Sequence, residues 1–80
     1  MPYISPTRRS DLLLGAKPQN AGELNYTITK TVVDYIKTKG VSYATFNDCI
    51  GALMGALMEL YRRKVAPYED KKIIVNGDVF

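Results

Sequence analysis

Residues 42–66 read SYATFNDCIGALMGALMELYRRKVA, and the spacing of their apolar side chains decides the fold class. Phe46, Cys49, Ile50, Leu53, Leu57, Leu60 and Tyr61 recur at three- and four-residue steps, which places them on one face of a helix. Met54 and Met58 widen that face. GALM occurs twice in succession, so Gly51 and Ala52 recur four residues on as Gly55 and Ala56. A glycine in an exposed helix interior is worse than alanine by about 1 kcal/mol. Two of them predict that another helix comes close to this backbone. Two partners suit: the chain's own first long helix, or a second subunit meeting the face at Gly51, Ala52, Met54, Gly55 and Met58.

Upstream lies another amphipathic segment. Asn20, with Glu23 three residues later, has the spacing of a capping box. Leu24, Ile28, Val32, Tyr35 and Ile36 then follow the helical period, and that spacing outweighs the β-branched residues between positions 27 and 33. Gly40, after Lys37 and Lys39, predicts the stop. Ser42 can cap the following helix, and Val41 is placed to staple onto Phe46. So short a joint predicts an antiparallel helical hairpin. Nearer the start, Ser5-Pro6 fits a cap with proline at the first helical position, and Gly15 a stop, predicting a short helix over residues 7–14.

Downstream, Pro67 is expected to limit the second long helix, with a charged connector over residues 68–72. IIVNGDVF follows, and its Asn76-Gly77 pair signals a type I′ turn between residues 73–75 and 78–80. Such short arms need a neighbour to pair with, either the MPYI segment or another subunit. The expected architecture is therefore mainly α and a single domain. Residues 1–19 form an arm or short helix, 20–66 an antiparallel two-helix hairpin, and 67–80 a tail with a small C-terminal β-hairpin.

Eighty residues are near the size where one core is only marginally sufficient, and short chains often gain stability by oligomerising. The absence of histidine removes the commonest general base and metal ligand, so a histidine triad or a His/Cys metal site is excluded. The lone Cys49 lies on the apolar stripe and reads as a small buried hydrophobe rather than a nucleophile. Glu59, Glu69 and Asp70 form no tight metal-binding repeat, and no glycine-rich phosphate loop follows a strand. No enzyme activity and no cofactor are expected. The longest apolar run, residues 49–58, is about half of what a bilayer-spanning helix needs. With no basic-then-apolar leader in MPYISPTRRSD, a cytoplasmic protein is expected, without a membrane partner.

The net charge of +3 is unevenly spread. Tyr61, Arg62 and Arg63 are consecutive, and Tyr68 is followed by Lys71 and Lys72. Arg8, Arg9, Tyr26 and Lys30 would complete a pocket if the N-terminal arm lies across the helices. Arginine forks suit phosphate oxygens and tyrosines stack on bases, so these nine candidates (Arg8, Arg9, Tyr26, Lys30, Tyr61, Arg62, Arg63, Tyr68 and Lys72) point to a phosphate-bearing nucleotide. A plainer reading assigns Tyr61 to the core stripe and leaves Arg62 and Arg63 as solvated helix-end charges. Nonspecific DNA binding fits a pI near 9.1, but eight acidic residues are interspersed and weaken it. An adaptor acting only through protein contacts at GALMGALM is the third reading.

MPYI, GELNYTIT, SYATFNDCIGAL, ELYRRKVAPYEDKKI and NGDV together resemble a group of small proteins encoded by phages and their bacterial hosts. The likeness covers essentially the whole chain, and the group carries no assigned activity. It implies a phage or prophage accessory protein. In size and expected hairpin the chain also resembles small phage proteins that sequester nucleotide immune signals, the anti-CBASS and anti-Thoeris sponges. That looser resemblance implies an oligomer holding a cyclic or NAD-derived nucleotide without cleaving it.

Overall fold

The computed structural model describes residues 1–80, which divide into two compact units, Met1–Phe46 and Asn47–Phe80. The chain is helical and contains no strand. Helices α1 (Pro6–Leu13) and α2 (Ala21–Lys39) belong to the first unit. Helix α3 (Tyr43–Leu60) begins at the end of that unit and supplies the start of the second. A π-helical turn (Tyr61–Val65) and helix α4 (Ala66–Asn76) follow without a break in helical dihedrals.

Local chemistry accounts for each boundary in the first unit. Ser5 Oγ accepts from the Arg8 N–H at 3.3 Å, and Pro6 opens α1 where its missing N–H is not needed. Gly15, at φ +101°, closes it as a Schellman motif: Ala16 N–H donates to Asp11 C=O at 3.0 Å and Gly15 N–H to Leu12 C=O at 3.1 Å. Asn20 Oδ1 accepts from the Glu23 N–H at 2.9 Å and starts α2. The other half of the expected capping box is redirected, because the Glu23 carboxylate takes the N–H of Gln19 at 3.1 Å rather than that of Asn20. Gly40, at φ +90°, ends α2 with its N–H on Ile36 C=O. Ser42 Oγ accepts the Thr45 N–H at 3.1 Å and caps α3 as expected.

The N-terminal arm lies along the first turn of α2. A Cβ on Gly22 would stand 3.3 Å from Met1 O and 3.4 Å from Ile4 Cγ2, so a glycine there lets the arm in close. Helix α1 packs on α2.

Two expectations about the second unit are corrected. The small C-terminal β-hairpin does not form, since Asn76 is the last residue of α4. Gly77 takes φ +90° and donates its N–H to Ile73 C=O at 2.8 Å, stopping a helix rather than turning a strand. Nor does Pro67 end the helix. It sits in the first turn of α4, just past the π turn, whose widened ladder has Ala66 N–H reaching Tyr61 C=O five residues back.

Cys49 is buried, as its place on the stripe implied. The rest of the stripe in the second unit is open. Ile50, Leu53, Met54, Leu57, Met58, Leu60 and Tyr61 are all between 43% and 66% exposed. Gly51 and Gly55 have no heavy atom within 4 Å of where a Cβ would stand, so nothing in the chain uses the close approach they permit.

Candidate functional site

In the first unit, α1 delivers Arg8 to the start of α2. The guanidinium grips Glu23 with a fork, Nε to Oε2 at 2.9 Å and Nη2 to Oε1 at 2.6 Å, and its Nη1 donates to Asp11 Oδ2 at 3.2 Å. Glu23 is buried and has both oxygens engaged. The hydrogen bond from Arg8 holds its carboxyl below the usual range, against the opposing effect of desolvation and with help from the Gln19 N–H. The same pairing pushes the Arg8 guanidinium further toward the charged state. Arg8 therefore ties α1 to α2, with each of its three guanidinium nitrogens donating to a carboxylate.

Arg9 lies beside it with a different task. Its Nε donates to Ile4 C=O at 3.1 Å, and its guanidinium sits 5.8 Å from the ring centre of the buried Tyr26. This holds the arm against α1 and the start of α2, within the first unit. Lys30, one turn beyond Tyr26, pairs with Asp34 at 3.9 Å. Tyr26 and Lys30 share a shallow groove of about 140 Å³ with Leu12, Leu13 and Thr27. Four candidates thus come together in one unit, all four already engaged by neighbours. Sequence reasoning missed the hub, Glu23, which it read only as a capping residue.

In the second unit the candidates string along the helix. Tyr61 Oη donates to Glu69 Oε1 at 2.8 Å, and that bond pushes the phenol's pKa up. Arg62 Nη2 donates to both oxygens of Glu59, at 3.0 and 3.3 Å. Lys72 stands 5.4 Å from the Tyr68 ring. Arg63 has no ion pair or hydrogen-bonding partner for its side chain and is exposed. The expected interface residues Gly51, Ala52, Met54, Gly55 and Met58 are all exposed on α3.

No three of His, Cys, Asp or Glu gather as a metal site. No helix is long and apolar enough to cross a membrane. The family described as Domain of unknown function (DUF6899) matches residues 1–79, so the chain belongs to that family. No curated protein and no solved structure matches it.

Proposed function

We propose that the protein works by association rather than catalysis, as a small homo-oligomeric module whose copies meet on the apolar face of α3. What supports this reading is the open face itself. Six aliphatic side chains and Tyr61 stand exposed along three turns of one helix, with two glycines beside them that nothing in the chain approaches. Monomeric proteins rarely leave contiguous apolar patches beyond about 300–600 Å² unless a partner covers them. The test is sedimentation velocity across micromolar concentrations. The parent should be oligomeric and Leu57→Glu monomeric with unchanged helix content. A monomeric parent refutes the reading.

A second reading draws on one further observation: Arg63, unpaired, stands two residues from Tyr61 within the π turn. Turns of this kind recur at functional sites. There an oligomer would hold a phosphate-bearing nucleotide without turning it over. In the phage setting that the sequence resemblance implies, the ligand would be a cyclic or NAD-derived immune signal. A charge-assisted contact to phosphate is worth about 1.5–3 kcal/mol, so Arg63→Ala should weaken binding by about tenfold or more in calorimetry against cyclic dinucleotides and cyclised ADP-ribose. Tight, salt-sensitive binding to duplex DNA alone would favour a nucleic-acid partner instead.

A further inference from the structure

We infer that the contact face runs through the π turn into α4, and that its occupant is a second copy of this chain. This rests on the association reading above. Pro67 has no N–H, and in a regular helix its ring would meet the carbonyl of Arg63. The chain accommodates it by widening one turn, with Ala66 N–H on Tyr61 C=O. One extra residue in a turn sets everything after it back by about 100° around the axis.

Two observations carry that consequence. Tyr61 and Glu69 are hydrogen-bonded at 2.8 Å. Residues eight apart on an unbroken α-helix would sit about 80° apart, too far round for that bond. Ile73 lines the same groove as Tyr61, Ala66 and Glu69, whereas its neighbour Ile74 does not. Ile73 is also half as exposed as Ile74, 42% against 83%, with the chain's own Phe80 lining that groove beside it. The turn at Pro67 therefore brings Ile73 into line with the stripe of α3 and leaves Ile74 off it.

A second copy fits this face for reasons of area and charge. The α3 stripe leaves seven large side chains between 43% and 66% exposed, and a standard interface buries roughly 800 Å² per partner. Extension to Ile73 enlarges the surface that a second copy would cover. Along the whole of this face the charges are of both signs: Glu59 is paired with Arg62 at 3.0 Å, and Glu69, beside Ile73, is held by Tyr61 at 2.8 Å. Two copies of so mixed a face can meet with opposite charges opposed, whereas a partner of one strong sign would meet like charge as well as unlike.

The experiment compares Ile73→Glu with Ile74→Glu in the full chain, by sedimentation equilibrium, with far-UV circular dichroism as the control for folding. Ile73→Glu should weaken association by about tenfold or more, and Ile74→Glu by less than about threefold, as a face residue differs from its off-face neighbour. If Ile73→Glu reduces helicity, Ile73→Ala takes its place, with the same ordering expected. Equal effects at the two positions, or none at Ile73 while Leu57→Glu still dissociates the protein, would end the face at Pro67 and leave the association reading intact. A monomeric parent, or a Leu57→Glu variant that stays assembled, defeats that reading and this inference with it.

Discussion

Replacing both Gly51 and Gly55 by alanine separates what α3 needs as a helix from what it needs as a surface. Neither glycine has a positive φ, and neither has a heavy atom within 4 Å of its would-be Cβ. The two methyl groups therefore meet no clash and no strained backbone. An interior glycine gives up about 0.8–1.0 kcal/mol to alanine, so the pair should stabilise the isolated chain by about 2 kcal/mol. For a domain of this size each kcal/mol is worth about 4–8 °C in Tm, a shift well within measurement. Gly22 is the contrast, since a Cβ there crowds Met1 O and Ile4 Cγ2 and the helix gain would be offset by displacing the arm. The assay is urea unfolding followed by circular dichroism at two protein concentrations, one below association and one above. The gain should be full at the lower concentration and should shrink at the higher, where the methyl groups hold a second copy away. Absence of a gain at the lower concentration would refute the reasoning, because something in the chain would have to occupy that space. An equal gain at both would show that copies do not meet there.

Acid should loosen the first unit: Glu23 has a lowered pKa in the folded chain, so its contribution is complete above the ordinary carboxylate range and disappears as pH falls through the lowered value. Glu23→Gln should flatten this acid limb when urea midpoints are compared between about pH 3 and pH 7. In the second unit, Pro67→Ala removes the reason for the π turn, and relaxation to a regular helix should carry Glu69 away from Tyr61. The phenol, raised chiefly by that hydrogen bond and further by burial and Asp70, should then titrate earlier in alkaline absorbance, as it should in Glu69→Gln; an unchanged late-titrating tyrosine in Pro67→Ala beside an earlier one in Glu69→Gln would refute the link.

The helices were legible because what makes them is local. Asn20, Ser42 and Gly40 act through bonds that span three or four residues, and a sequence window contains all the partners. The two misreadings are also local signals, but ambiguous ones. Asn-Gly serves a type I′ turn, where both residues need positive φ, and equally a helix stop, where only the glycine does. Here Gly77 alone has positive φ, and Asn76 stays helical. The run Ile73 to Val75 suited either outcome, since β-branched residues disfavour a helix only slightly. Pro67 misled for a different reason. A proline rules out a regular α-turn around it, and a wider turn satisfies the same constraint without ending the helix.

The binding candidates were harder to read, because the sequence counts cations without their neighbours. Arg62 and Glu59, three apart on one helix, could have been paired by spacing alone. Arg8 and Glu23, fifteen residues apart, could not, as their bond exists only once α1 lies on α2. Once both arginines are assigned to carboxylates, the unpaired arginine left among the candidates is Arg63. The apolar stripe has the same character. Periodicity locates a face, but a helix that lines its own core and one that awaits a partner show the same three- and four-residue spacing. Exposure separates them. Cys49 and Leu57 belong to one stripe by spacing, yet the first is buried and the second 63% exposed, so the cover that the chain gives at one end of α3 is missing along the rest. That unburied length, and not the amphipathic pattern, is the observation on which the proposed association of α3 with a second copy rests.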